Sequence, residues 1–532
     1  MLSSLDLTVI GIYAVILLSV ALYVSTRKTT ADMSSEDYFL AGKSLPWWAI
    51  GASLIAANIS AEQIIGQSGQ GFVVGLAIAA YEWQAAIVLI IVAKYFLPIF
   101  LEKKIYTMPQ FLELRFGSTI KSMMAVFWVV LYTAVNLTAV LWLGGLALTA
   151  LTGWNVIAAM MGLAAFAVIY SLYGGLKAVA LTDIIQVVVL IAGGFAITGI
   201  VLSMVGDIAV GQGAGIFAGL GTLMGEMPGH FKMILAPENP SYNNLPGIWT
   251  LLGGLWVLHF SYWGFNQYII QRALGAESLA EAQKGLAFAA ALKLLIPVIV
   301  VIPGIAALYL AREGQLDMAR IAASPDSTYG ILMGLVPDGL RGLVFAALIA
   351  AIVSSLASMM NSISTIFTMD IYRDMIAPDR SEAHYVTVGR TTSAIAIVIA
   401  VILARPFLGG MESAFQAIQE YTGFIAPGIV SVFLLGMFWK GANAQGAFAM
   451  LIVSVLANIL LKFITPDLAF VIRIWIVFLA CLVVGYVASN MAKTDAARAI
   501  DLGGMNFVTT DGFNRSAIGL VLILVAIYAY FW

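Results

Sequence analysis

Acids, amides and one lysine stand in stretches of this chain that are otherwise apolar enough to cross a bilayer. Glu62 and Gln63 fall in SAEQIIGQSG (residues 60–69), Glu82 in AAYEWQAA, Asp183 in ALTDIIQVV, His259 in VLHFSYWGFNQY, Lys293 in AAALKLLIP, and Gln419 with Glu420 in AIQEYTG. A charged side chain at mid-bilayer costs roughly 2.5–3.5 kcal/mol on insertion scales, so each of these needs a partner or a water-filled cavity. A carboxylate, an ammonium, amides and the aromatic faces of Tyr81, Tyr262 and Trp263 together suit a polyhydroxylated ligand. Its hydroxyls want both donors and acceptors, and its C–H face stacks on rings. The stretch LIAAIVSSLASMMNS (348–362) adds a second chemistry through Ser354 and Ser355. Two hydroxyls and the carbonyls of an unwound segment make a hard-oxygen site for a monovalent cation, with no carboxylate among them to hold a divalent one.

Taken singly, each residue has a structural alternative. Glu82 and Lys293 could be an ion pair that ties two helices, and His259 a satisfied buried imidazole. Glu62 and Asp183 could be solvated near a helix end or break. The rings could simply pack, and the serines could back-bond to their own helix. Convergence of the set on one place is what would favour a ligand site.

The elements that must position these residues follow from composition. Of 532 residues, 61% are hydrophobic and 10% charged, with a mean hydropathy of +0.98, against roughly 25% charged in an ordinary soluble domain. The chain reads as an all-α polytopic membrane protein. A net charge of −2 without a basic stripe leaves no footprint for nucleic acid. The single Cys481 permits no intrachain disulfide and reads as a core residue, and GQGAG (211–215) lies in a Gly-rich loop rather than a βαβ unit. With about 20 apolar residues per crossing, fourteen spans are expected, starting near residues 6, 46, 77, 120, 155, 181, 247, 281, 340, 387, 414, 444, 470 and 516. The first, LDLTVIGIYAVILLSVALYVS, has its positive charges after it and reads as a retained span. Arg27, Lys28, Lys43, Lys103, Lys104, Arg115, Lys121, Lys177, Arg272 and Lys284 cluster after odd-numbered spans, as do Arg373, Arg380, Arg390, Lys440, Lys493, Arg498 and Arg515. By the positive-inside rule that side is cytoplasmic, so both termini and the loop 206–246 face outward.

Two spans carry polar interruptions: SAEQIIGQSGQG in the second and HFSYWGFNQ in the seventh. Counted from the second span, these are the first and sixth helices, matching positions of two five-helix halves. Paired broken helices of this kind point to a transporter's midplane site. An intramembrane metalloenzyme is disfavoured, because His230, His259 and His384 lie in unrelated segments and no HExxH occurs. A channel or sensor is a further, weaker alternative.

The strings SLIAANISAEQ, YSLYGGLKAVALTDIIQV, YWGFNQYIIQR, AAIVSSLASMMNSISTIFTMD and FQAIQEYTGFIAPG closely resemble bacterial sodium/sugar symporters of the sodium/solute symporter family and, more distantly, animal sodium/glucose cotransporters. The resemblance runs from about residue 5 to the C-terminus. It implies sodium-coupled symport of a hexose, galactose or glucose, into the cell across a bacterial inner membrane by alternating access. Sodium would be the coupling ion, with no organic cofactor, and sugar, sodium and lipid would be the partners. An inositol, sialic acid or amino acid is the alternative solute. The implied fold has a first helix and cytoplasmic loop (1–45), a five-helix repeat (46–205), an outer loop (206–246), an inverted second repeat (247–437) and three further helices (438–532), the first helix of each repeat being broken. Residue by residue, the resemblance implies a sugar site of Gln63, Glu82, His259, Lys293 and Gln419 with Asn58 close by. It implies gates at Tyr262 and Trp263 on the inside and Tyr81, Phe415 and Gln67 on the outside. A sodium site would comprise the carbonyls of Ala56, Ile59 and Ala351 with the hydroxyls of Ser354 and Ser355, and Asp183 would lie on the sodium exit path. His259 stands where bacterial galactose carriers have asparagine, Ala85 where they have a hydroxyl, and Gln67 near their methionine; the hexose is therefore left open.

Overall fold

The computed structural model describes residues 2–25, 33–172, 175–409, 414–492 and 498–532. Among these the regular structure is helical, with one isolated bridge between Leu45 and Ala276. Eleven helices are long and apolar enough to cross a membrane, or twelve if Trp47–Asn58 and Glu62–Val73, bent by 60°, form one span. Two of the expected fourteen do not meet that standard. Val156–Ser171 has 16 residues, about 24 Å at 1.5 Å per residue, against an apolar core of about 30 Å. The segment from 247 is divided at Gly253 and again at Phe265–Asn266. The helix Gly175–Ala209 also runs past the boundary expected at 205.

Both halves of the first broken span lie on the span Leu279–Arg312, and glycines set the approach. A Cβ at Gly51 would stand 2.7 Å from the Gly285 carbonyl oxygen, and one at Gly285 would stand 3.0 Å from that of Trp47. In the other half, a Cβ at Gly71 would be 2.5 Å from the Val301 oxygen and one at Gly304 would be 2.0 Å from the Ser68 oxygen. Small residues at helix crossings are how membrane helices gain close packing without a hydrophobic driving force. The partner span is itself interrupted between Leu279–Lys293 and Ile296–Arg312, and Lys293 falls at that interruption. The second broken span is held similarly, since a Cβ at Gly254 would meet the Val471 oxygen at 2.1 Å.

Contacts sort the loops onto two faces. On one, Asp6 accepts from the Gly339 and Gly342 amides (2.7 Å each), Gly69 abuts Pro325, Gly75 abuts His230, and the Met233 amide donates to the Phe531 carbonyl at 2.7 Å. Both termini and the loop 206–246 therefore share a face. On the other, Leu45 pairs with Gly275, Ser35 with Glu382, and Lys121 with Glu113 and Asp374. Arg27, Lys28 and Lys493 lie outside the described residues.

Candidate functional site

The first break is short and local. Helix Trp47–Asn58 ends at Ile59, whose backbone is extended (φ −78°, ψ 100°), and helix resumes by Ala61 with a π-turn at Glu62–Gly66. The break thus lies at Ile59–Ser60, and most of the polar run SAEQIIGQSGQG is helical. Its polar residues explain why the chain stops there. Gln63 Oε1 accepts from the Ser60 amide (3.2 Å) and hydroxyl (2.8 Å), while Ser60 Oγ accepts from the Glu62 amide (3.1 Å). The Ser60 amide, which would close on the Ala56 carbonyl in a continuous helix, is turned away from it. In the second broken span the residues HFSYWG are helical too: Phe260–Gly264 is a π-turn. The interruption comes after them, at Phe265–Asn266, where Asn266 caps Gln267–Leu274.

A cavity opens between these breaks. Its wall includes Asn58, Gln63, Gln67, Tyr81, Glu82, His259, Tyr262, Trp263, Lys293 and Gln419, so ten of the eleven residues expected to meet or gate a ligand share it. The eleventh, Phe415, has a side chain outside the described residues. The cavity volume is about 80 Å³, on a measure by which one water needs roughly 10–15 Å³. It is contracted around its own polar groups. Lys293 donates to both Glu82 and Asn58. Gln67 Nε2 donates to the other Glu82 oxygen at 2.6 Å, and Asn58 Nδ2 to the Tyr262 hydroxyl at 3.2 Å. The Lys293 ammonium stands 4.7 Å from the Trp263 ring centroid, and Tyr81 meets the His259 imidazole edge to face at 6.4 Å. Side chains of Glu82 and Lys293 are 2% and 1% exposed, and such a buried pair holds only while each charge keeps its partners. His259 Nε2 and Gln67 Oε1 remain buried without a partner.

The serine pair meets the first break from behind. Ser355 Oγ donates to the Ala57 carbonyl at 3.1 Å, between Ala56 and Ile59 in sequence, and Ala351 precedes Ser355 by one turn on the same helical face. Ser354 Oγ donates to Asp183 Oδ1 at 2.5 Å. Asp183 is fully buried rather than solvated at a span end. Its other oxygen accepts from Ser53 Oγ (2.5 Å) and lies 3.5 Å from the Arg272 guanidinium. Arg272, counted above among the charges of the positive side, is 1% exposed and also bonds Ser358 and the Tyr268 carbonyl. Sequence reasoning missed it; the signal was its place in QYIIQRAL, a short helix buried on every side. Glu420 is drawn away from the cavity, to Lys462 (3.0 Å) and Arg473 (2.5 Å).

A match to the sodium:solute symporter family spans residues 38–454. The chain belongs to that family. A sodium/glucose cotransporter of Vibrio parahaemolyticus is 51% identical over 542 aligned positions, covering 100% of this chain and 99% of its own. A sodium/myo-inositol cotransporter 2 of Mus musculus is 33% identical over 85% of this chain and 69% of its own. Among solved structures, a sodium-coupled sialic acid symporter in a substrate-bound outward-open state superposes with a TM-score of 0.80 over 92% of this chain and 99% of its own, at 22% identity. That similarity is one of fold, and it covers nearly the whole chain.

Proposed function

We propose that this protein is a sodium-coupled hexose symporter that works by alternating access. The observation that carries the reading is the double use of one helix break. Ser355 reaches the Ala57 carbonyl, while the next residue, Asn58, is bound by Lys293 and itself holds Tyr262. Sodium is held by the carbonyls of Ala56, Ile59 and Ala351 and the hydroxyls of Ser354 and Ser355. Each hydroxyl donates one bond to protein and keeps lone pairs for a cation. The hexose takes over the hydrogen bonds that Glu82, Lys293, Asn58 and Gln67 now exchange among themselves, with Gln63, His259 and Gln419 completing its contacts. Tyr262 and Trp263 close the inner side, and Tyr81, Gln67 and Phe415 the outer. Asp183, beside Ser354, receives the departing sodium. This mechanism fits fourteen spans with a five-plus-five inverted repeat, in which the short helix Val156–Ser171 and the divided segment from 247 count as crossings. The termini then face the periplasm.

One sodium per sugar suffices energetically. A tenfold gradient supplies about 1.4 kcal/mol and 100 mV about 2.3 kcal/mol per charge, together several hundredfold accumulation. Proteoliposomes holding the full chain, given labelled galactose, glucose and myo-inositol with and without a sodium gradient, test the reading. Hexose uptake that requires sodium is expected. Preference for myo-inositol, to which the relative of that name gives weight, would keep the mechanism and change the substrate; uptake indifferent to sodium would end the proposal.

A further inference from the structure

The cavity continues past the knot of Glu82, Lys293 and Asn58 into a part of its wall that the sites above do not use. Trp128, Tyr132, Asn136, Asn266 and Tyr268 line it together with Glu62. Two acceptors there have nothing to accept. Glu62 Oε1 and Asn136 Oδ1 are buried and without a hydrogen-bond partner, whereas buried polar atoms of native proteins are nearly always satisfied by protein, water or ligand. They stand on different elements, each in a π-turn: Glu62–Gly66 and Tyr132–Leu137. A third π-turn, Phe260–Gly264, carries Tyr262 to the same place, and such turns occur frequently at functional sites. Tyr262 is the divider. Its hydroxyl accepts from Asn58 on the knot side, its ring meets Tyr268 edge to face at 5.7 Å, and Glu62 lines the same cavity as both rings. Tyr268 follows the second break, on the half-helix that leads to Gly275 and the face opposite the termini.

We infer that Glu62 and Asn136 form a second, transit position for the hexose beside Tyr262, occupied as the sugar passes between the knot and the inner face. Hydroxyl hydrogens would go to the carboxylate of Glu62 and the amide oxygen of Asn136, and the rings of Tyr262, Tyr268 and Trp128 would face the C–H surface. Acceptors carried on two different helices among aromatic rings suit a polyol, and among the described residues no group of three His, Cys, Asp or Glu side chains is gathered to hold a metal ion. The inference rests on the transport reading above. A transit ligand lowers the barrier between two states without being part of the resting complex, so its loss falls on rate and not on affinity.

The test compares wild type with Glu62→Gln, Asn136→Ala and Glu62→Asp. Labelled galactose binding to purified protein in sodium gives Kd; sodium-driven uptake in proteoliposomes gives KM, kcat and the sodium half-saturation. A tenfold or larger fall in kcat is expected for Glu62→Gln and Asn136→Ala, with Kd and sodium half-saturation within twofold, and Glu62→Asp should keep more of the rate. The retained Kd itself reports folding; should one variant fail to fold, the other carries the test. A Kd that rises in step with the rate loss would move these residues into the resting site, an altered sodium half-saturation would make Glu62 a cation ligand, and unchanged kinetics would leave them without a role; each overturns the inference. A wild type without sodium-driven hexose uptake sinks the transport reading itself, whereas a competent wild type with unaltered variants sinks only the transit position.

Discussion

Lys293 and Glu82 offer the sharpest separation of structure from binding, because the same contact serves either purpose. Their side chains are 1% and 2% exposed, and Asn58 and Gln67 take the remaining hydrogen bonds. Removing one partner leaves an uncompensated buried charge, which destabilises by roughly 3–5 kcal/mol, whereas replacing both by neutral groups of similar volume is often close to neutral. Lys293→Met and Glu82→Gln should therefore each lower the unfolding midpoint in detergent, and the double variant should recover most of that loss. Sugar binding should not follow the same pattern. A charge-assisted hydrogen bond contributes about 1.5–3 kcal/mol, so each single variant should bind hexose about 10- to 150-fold more weakly, and the double variant should stay as weak or become weaker. A purely structural pair predicts the reverse: restored stability would restore binding. Thermal unfolding and equilibrium hexose binding on the four proteins decide it, and a double variant that recovers both quantities would refute the assignment of this pair to the sugar.

Ser355→Ala removes the hydroxyl that donates to the Ala57 carbonyl; the sodium half-saturation of uptake should rise at least about tenfold, within the 1–3 kcal/mol of one buried polar contact, and an unchanged sodium curve would remove Ser355 from the cation site. His259→Asn should shift the ratio of galactose to glucose affinity toward galactose by about 5- to 150-fold on the same scale, since His259 lines the cavity and its Nε2 is buried without a protein partner; an unaltered ranking would mean that His259 does not touch the ligand. His230, in the loop over Gly75, gives a pH test. Burial, helped by the charge of Arg312 and opposed by a hydrogen bond with the Phe72 backbone, holds its imidazole below the ordinary value. The unfolded chain then binds the proton more tightly, so the stabilisation is complete above about pH 6.5 and is lost as pH falls toward the folded value. Unfolding midpoints from pH 8 to 5 should decline less steeply in His230→Gln than in wild type; parallel curves would exclude His230 as a source.

What the sequence disclosed follows from distance along the chain. Polar residues inside apolar runs are visible one stretch at a time, which is why the cavity wall was legible from Gln63 to Gln419. Pairing is not. Glu82 and Lys293 are 211 residues apart, and nothing in AAYEWQAA or AAALKLLIP says that each is the other's partner rather than a ligand's. Arg272 was read by proximity to a loop, yet it is consumed by Ser53, Ser358 and Asp183 on three other elements. The breaks fall at the start of the first polar string, Ile59–Ser60, and inside the second, Phe265–Asn266, and a different reason keeps the strings from fixing those positions. Their polar residues signal an interruption, but the interruption sits where a side chain steals a backbone donor, as Gln63 does from Ser60, and the polar residues themselves return to helix. At Val156–Ser171 hydropathy marks a span by composition alone, whereas the helix itself has 16 residues, fewer than the roughly 20 of an ordinary crossing.

The break at Ile59–Ser60 also explains how two ligands can be coupled without touching. If the helix ran on unbroken, the carbonyls of Ala56 and Ala57 would each already accept from the amides of Ser60 and Ala61 and would point along the helix axis, leaving less of their acceptor capacity for Ser355 or an ion. Because Gln63 holds the Ser60 amide instead, the backbone that presents oxygens to the serine helix is the backbone that aims Asn58 at Lys293 and Tyr262. A cation that orders residues 56–59 fixes Asn58, and Asn58 in turn fixes the Lys293 ammonium and the Tyr262 hydroxyl. Reciprocity then requires that a sugar which orders Asn58 tighten the cation by the same factor. Coupling of this kind needs no long pathway through the protein, only one segment too short to satisfy both ligands independently.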